Sequence, residues 1–341
     1  MQLQQNLDQF DRAGIAIFAI SYDSVEAQAA FAKQYGITYS LLSDANHEAI
    51  EATGILNRLA AAEESPERGL AATEQTILKV APFAPATVER RLGESMYGMP
   101  YPGSYLIGTD GRVIEKLFYR HYRTRPSVAT VLRSGFGVDF EVRDNPAAEA
   151  NADGVRIRAT LGGESMTYME TSMLYIEVDL AQGLHLYGAP VPEGYVATTV
   201  TVTAPDSVEI GAVRYPGTRP FEVVNLDETF HVFEGPVEIS IPVYYVREDF
   251  EHLLARARFL ASELDEPGAG VVRQLIAHAE ETRPPTERSV RLDVSVQYQA
   301  CTADACLVPQ TEILELAVPI AGVEMSDAAR REQLSWQAPQ A

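Results

Sequence analysis

Two cysteines occur in the 341 residues, and they stand close together in the run Tyr298-Gln-Ala-Cys301-Thr-Ala-Asp-Ala-Cys306-Leu-Val-Pro309. Four intervening residues let the two Cα atoms come within the disulfide range of about 4.4–6.8 Å across a turn. A bond there closes a very short loop and removes little unfolded-state entropy, so it adds less stability than a long-range one. A pair placed so poorly for stapling fits redox exchange better. A modest structural disulfide and two inert thiols remain open as alternatives. A metal site needs further ligands, and the histidines in the expected sandwich strands are His185 and His231. No metal and no cofactor are expected: the phosphate loops GxGxxG and GxxxxGK[ST] are absent, and Ser104 sits in no GxSxG elbow.

The elements that must position the pair are strands. Val155 to Leu161, Met173 to Leu180, Ala197 to Thr203, Val237 to Val246 and Ser289 to Gln299 are β-branched, alternating segments separated by Gly and Pro turns. That pattern predicts an antiparallel sandwich. One interruption has the helical period instead. Phe250, Leu253, Leu254, Ala257, Ala261 and Leu264, then Val272, Leu275, Ile276 and Ala279, form two apolar stripes. They predict a helical hairpin packed on the sandwich.

The first half has a different order. Gly14 to Tyr22 reads as a strand buried on both faces. A helix follows, with Ser24 as N-cap, Ala27, Ala30 and Phe31 on one face, and Gly36 just past its end. A short strand over Thr38 to Leu42, a helix over Asn46 to Thr53, a hairpin turned at Asp110-Gly111 and a helix over Ser127 to Ser134 complete a β-α-β-α-β-β-α series, an α/β layer architecture. Asn57 to Met99 is a polar, Ala-rich insertion, and Asp144 to Asp153 reads as a linker.

Composition narrows the partners. Hydrophobic residues make up 46% and charged residues 22%, enough apolar material for a core. Lys plus Arg is 27 against 48 for Asp plus Glu, a net charge of -21. That charge repels phosphate backbones and anionic lipid, so neither nucleic acid nor a membrane surface is an expected partner. The longest apolar run, Ala13 to Ile20, is far short of a bilayer span. The N-terminal decapeptide MQLQQNLDQF has no basic start and no apolar stretch of the signal-peptide type.

Residues 154 to 320 resemble the periplasmic N-terminal domain of the DsbD family of thiol:disulfide interchange proteins. The resemblance is carried by the YQACTADACLVP run and by Gly183-LHLYG-Ala189 with Pro190 and Pro192 after it. It implies an immunoglobulin-like sandwich, a periplasmic or otherwise extracytoplasmic location, and thiol or disulfide proteins as partners. By resemblance, Cys301 and Cys306 are the redox pair, His185 and Tyr187 line it, and Phe230 and Phe233 lie near its cover. The helical insertion at 247–285 departs from the family pattern.

The segment LDQFDRAGIAIFAISYDSVEAQAAFAKQYGITYSLLSDANHEAIEATGIL, with the later run MPYPGSYLIGTDGRVIEKLF, resembles the peroxiredoxin-like AhpC/TSA (redoxin) domains of thioredoxin fold. The resemblance covers about residues 1 to 135 and places Pro102 where that fold carries a cis-proline facing its nucleophile. Domains of this kind begin with a strand and a loop bearing the reactive Cys, which sits at a helix N-terminus that lowers its pKa. No cysteine precedes Cys301. The helical stripe Leu3, Leu7 and Phe10 asks for a sheet to pack on, and the resemblance leads to the expectation of a Cys-bearing strand and loop, and an apolar leader, upstream of Met1.

The expected organisation is therefore a redoxin domain over 1–137 with its first strand missing and an insertion at 57–98, a linker at 138–153, a DsbD-like sandwich over 154–322 and a polar tail at 323–341. The expected function is an extracytoplasmic thiol:disulfide redox protein relaying electrons through Cys301 and Cys306. The alternative is a non-catalytic binding module with a degenerate thioredoxin fold and a structural disulfide.

Overall fold

The structure, a computed structural model, describes residues 2–56, 100–119, 124–141, 144–222, 229–248, 250, 253–254, 257–258, 261, 266, 268–283, 285–302 and 305–322. The expected insertion at 57–98 and the polar tail at 323–341 lie outside the described residues. The chain forms two compact units. One comprises Met1–Arg125, Glu248–Thr286 and Val323–Ala341, the other Pro126–Arg247 and Glu287–Gly322.

In the first unit, helices α1 (Gln2–Gln5) and α2 (Leu7–Arg12) precede strand β1 (Phe18–Ser21), helix α3 (Val25–Tyr35), strand β2 (Ser40–Ser43) and helix α4 (Glu48–Ala52). Strands β3 (Gly103–Ile107) and β4 (Val113–Phe118) follow. β1 and β2 pair in parallel, with Phe18 opposite Ser40, while β3 and β4 form an antiparallel hairpin. The caps of α3 follow from its sequence. Ala27 N donates to Ser24 Oγ at 3.2 Å, and Gly36 closes the helix in the left-handed region at φ 64.

The expected faces of these elements are overturned. β1 is not buried on both sides: Phe18 is 62% and Ile20 52% exposed. β2 is its strand partner among the described residues, so nothing from a second strand covers its other edge. The apolar stripe of α3 points outward with Phe31 exposed, and its buried residue is Gln28. The Gln28 amide donates to Ser21 Oγ at 2.9 Å and to Leu42 O at 2.8 Å, so hydrogen bonds tie α3 to the two strands. The small apolar interior of this unit includes Phe10, Ile37 and Ile50.

The segment Glu248–Thr286 groups with this first unit rather than with the strand-rich one that surrounds it in sequence. Leu254, Ala257 and Ala261 are helical and buried, and so are Ala269 and Val272 of the helix Gly268–Glu281. Arg258 donates to Glu280 at 2.6 Å between the two stretches.

The division falls inside the two-residue strand β5 (Arg125–Pro126), upstream of the expected linker. Two observations explain the shift. Val128–Thr130 is a buried helical turn, α5, continued by a π turn over Val131–Gly135. Its Ser127 N and Thr130 Oγ1 donate to Thr171 O, and Arg133 on the π turn is held by Glu177 and Glu238 at 2.5 and 2.7 Å. The last part of the expected linker is a strand, β6 (Ala147–Ala152), paired along its whole length with β7 (Val155–Leu161). Its alternating small residues turn Ala148 and Ala150 to the core.

The second unit continues with β8 (Met166–Thr167), β9 (Glu170–Leu180), β10 (His185–Gly188), β11 (Thr199–Thr203), β12 (Val208–Ile210), β13 (Arg219–Glu222), β14 (Thr229–Glu234), β15 (Val237–Tyr245), β16 (Ser289–Tyr298), β17 (Ala300–Cys301) and β18 (Gln310–Ala321). One sheet runs β12-β15-β9-β7-β6 and a second runs β11-β16-β18-β8. Their inward residues form one core: Ile157, Leu174, Ile176, Ile239 and Ile241 from the first sheet, and Leu292, Val294 and Leu316 from the second. Strand alternation puts every second residue of β7, β15 and β16 into it. A third sheet, β13-β14-β10-β17, carries the cysteines.

Candidate dithiol site

The third sheet has two unlike faces. Leu186 and Phe233, opposite one another across β10 and β14, belong to the large core, together with Ala300. One residue along each strand the side chains turn over, and Tyr187, Phe230, Val232 and Cys301 form a separate cluster, with Val191, Tyr195 and Phe221 packed against it. The ring of Tyr187 stacks on Phe230 at 5.0 Å and meets Tyr195 edge-on at 5.3 Å. Gly188 lets the strands approach: a Cβ there would fall 2.4 Å from Thr218 Cγ2.

Cys301 ends β17 and is buried, whereas Cys306 is exposed, and both are free thiols. They face each other across an antiparallel bridge. Leu307 N donates to Ala300 O and Thr302 N to Ala305 O, each at 2.8 Å, so the hydrogen bonds fall on the pairs flanking the cysteines. That makes Cys301 and Cys306 a non-hydrogen-bonded pair, the kind whose Cα atoms lie about 4.5 Å apart with side chains in close approach. This separation is within the disulfide range, so the sulfurs can bond without moving the backbone. The turn between them is tied by Ala305 N donating to Thr302 Oγ1 at 3.1 Å. Gln299 braces both sides, accepting from Val196 N through Oε1 at 3.0 Å and donating to Leu307 O at 3.1 Å.

Tyr187 places its hydroxyl 3.1 Å from Cys306 Sγ. Burial pushes the Cys301 thiol up to about 12; the Cys306 side chain pushes in the same direction, and the Tyr187 hydroxyl pulls back. Burial, then the two sulfurs, raise Tyr187 as well, so its hydroxyl keeps its proton. The pair is therefore asymmetric: one sulfur is open to solvent, the other is buried and protonated.

His185 lies opposite Cys301 in register, 4% exposed, with its ring 4.5 Å from Phe221 and 5.9 Å from Tyr187. Burial lowers its pKa. His231 is opposite Gly188 and turns to the other face of the sheet, so the two histidines do not converge. Phe230 is at the pair's cluster, but Phe233 is not; alternation sends it to the large core. Phe221 of β13, opposite Phe230, packs against the pair's cluster instead. It was missed because its role depends on β13 pairing with β14, and no local pattern marks it. Pro102 does not carry a cis bond. Among the described residues the cis X–Pro bond is Ala189–Pro190, and Tyr101–Pro102 keeps the trans form that such bonds favour by about 0.5–1 kcal/mol.

The α-β-α-β series of the first unit and its β3–β4 hairpin lie almost entirely within a stretch that matches a family model. Residues 1–116 match the AhpC/TSA family. The matched segment contains no cysteine, so the thiols of the chain are those of the strand-rich unit. No curated protein matches the chain. Among solved structures, the N-terminal periplasmic domain of ScsB from Proteus mirabilis is similar over 52% of this chain and 54% of its own, at 15% identity and a TM-score of 0.31. The N-terminal domain of DsbD from Neisseria meningitidis in the reduced form is similar over 51% of this chain and 85% of its own, at 10% identity and a TM-score of 0.23. The chain thus spans about half the length of the first of these. No described helix is long and apolar enough to cross a membrane.

Proposed function

We propose that the strand-rich unit is an immunoglobulin-like thiol:disulfide exchange module in which Cys301 and Cys306 alternate between dithiol and disulfide. The observation that carries this reading is their placement as a non-hydrogen-bonded cross-strand pair, one sulfur exposed and the other buried. Exchange proceeds by thiolate attack through a mixed disulfide, and a partner needs one reachable sulfur. Cys306 supplies it, and Cys301 closes the ring behind it. The Tyr187 hydroxyl lies within hydrogen-bond reach of the Cys306 sulfur, at 3.1 Å, and fixes its position at the mouth of the pair. The wrap of Phe221, Phe230 and Tyr195 keeps the buried sulfur from indiscriminate oxidants.

The partners are protein thiols or disulfides, and the setting is extracytoplasmic, where a cycling pair meets oxidised partners. The AhpC/TSA match over residues 1–116 sets the module beside a segment of a redox family. Equilibration of the purified chain with glutathione buffers, followed by thiol trapping, tests the reading. A midpoint above about -300 mV, in the range of exchangeable disulfides, is expected. A bond that stays closed below that potential identifies a structural disulfide in a non-catalytic binding module.

A further inference from the structure

Three registers on the third sheet draw one line. Glu234 of β14 is opposite His185 of β10, His185 is opposite Cys301 of β17, and Cys301 is opposite Cys306. Directly opposed residues share a face, with Cβ atoms about 4.5–5.5 Å apart. A carboxylate, an imidazole and two thiols therefore follow one another across four adjacent backbone stretches. The imidazole is buried, and its Nε2 has no hydrogen-bond partner. A buried polar nitrogen without a partner is costly and asks for a use.

Resting on the reading of Cys301 and Cys306 as a redox pair, we propose that His185 accepts the Cys301 proton when that sulfur closes the disulfide. A base is needed there. With the thiol held at about 12 by burial, the preformed thiolate is about one part in 10⁵ at neutral pH. A neutral imidazole beside it removes the proton as the sulfur attacks. Burial keeps the imidazole neutral at pH 7.

The step balances as follows. The Cys306 thiolate attacks one sulfur of a partner protein disulfide; the Cys306–partner bond forms, the partner's own S–S bond breaks, and its other sulfur leaves as a thiolate. Cys301 then attacks the Cys306 sulfur. The Cys301–Cys306 bond forms, the Cys306–partner bond breaks, and the partner's second sulfur leaves as a thiolate. The Cys301 proton passes to His185 and from there to solvent or to the departing sulfur. The two cysteines lose two electrons and the partner disulfide gains them.

The groups facing the imidazole set its titration. Glu234 favours the imidazolium, Arg219 of β13 is ion-paired to Glu234 and opposes it, and Phe221 and Tyr187 exclude water. Cys301 contributes a neutral thiol.

The test uses the reduced full chain and one equivalent of 5,5′-dithiobis(2-nitrobenzoate). The first thionitrobenzoate released reports the Cys306 mixed disulfide, and the second reports closure by Cys301. In the unsubstituted chain the closure rate is expected to rise to an inflection below about pH 6.5, the ordinary histidine value, and to stay flat to about pH 9. His185→Phe keeps the aromatic packing and removes the base. It is expected to slow closure by about 100-fold or more at pH 7, to make it climb tenfold per pH unit, and to leave the first release within about twofold. Unchanged closure in His185→Phe overturns the proposal. So does a closure rate in the unsubstituted chain that climbs tenfold per pH unit without an inflection, a result that needs no folded variant. Failure of the unsubstituted chain to release thionitrobenzoate at all strikes instead at the redox pair itself.

Discussion

The two units hide their apolar side chains to different degrees. In the strand-rich unit, Ile157, Leu174, Ile176, Ile239, Ile241 and Leu292 have no exposed surface at all. In the first unit, Phe18, Ile20, Ile107 and Ile114 are each more than half exposed, although they stand in strands of the same apolar character. The contrast lies in sheet neighbours rather than residue type. β7, β9 and β15 have strands on both sides and a second sheet over their inner face. β1 and β2 have each other, and so do β3 and β4, among the described residues. A strand gains from an apolar side chain only where something covers it, at about 25 cal/mol per Å². The chemistry divides the same way: both cysteines are in the well-covered unit, where burial can set two sulfurs apart.

Truncating one side chain in each unit puts the largest effect on that contrast. Leu292→Ala is expected to cost about 2–5 kcal/mol in denaturant unfolding followed by hydrogen exchange in the strand-rich unit. Phe18→Ala is expected to fall within about 0.5 kcal/mol of no change. Equal costs would mean that Phe18 is covered in solution and that the contrast is false.

A second experiment sharpens the contrast inside the strand-rich unit. In the reduced chain near pH 8, alkylation by iodoacetamide is expected to modify Cys306 at least about 100-fold faster than Cys301, since the latter's thiolate fraction is smaller by three to four powers of ten than that of an ordinary thiol. Cys301→Ser and Cys306→Ser variants assign the two rates. Tyr187→Phe removes the hydroxyl that lies 3.1 Å from the Cys306 sulfur, and should change the alkylation rate of Cys306 while leaving that of Cys301 slow. Equal reactivity of the two sulfurs would remove the asymmetry on which the exchange reading stands.

A further expected effect is on stability at high pH. Cys301 stays protonated in the folded state up to about 12, whereas the unfolded thiol ionises near its ordinary value of about 8.5. Between those values the folded state binds more protons, so stability falls as pH rises, by up to about 1.4 kcal/mol per pH unit from this group. Its contribution is fully present below about pH 8.5. Cys301→Ala should flatten that part of the pH profile of denaturant midpoints, and an unaltered slope would show that the thiol is less buried than its surroundings imply.

Some of this was legible without coordinates. Ser24 and Gly36 cap α3 as their types require, Asp110-Gly111 turns the β3–β4 hairpin, and the alternating residues of β7, β9, β15 and β16 enter a core. Local backbone preference and period suffice for these. The faces were harder to read. Gln28 is buried on α3 because its amide can reach Ser21 and Leu42, a contact that a hydrophobic stripe does not encode. The run at 144–153 has the composition of a linker but forms β6, because pairing with β7 decides strand identity there.

The sequence by itself determined that there are two thiols with four residues between them, that they sit among strands, and that an α/β segment precedes them. Only the tertiary structure decided which sulfur is reachable, that a tyrosine hydroxyl from β10 touches Cys306 across 119 positions of sequence, and that Glu234, His185, Cys301 and Cys306 line up. The reason is register. A slip of one residue between β10 and β17 turns every side chain to the opposite face, and that register is fixed by the fit of Leu186 and Phe233 into the core beneath the sheet, far from the cysteines in sequence.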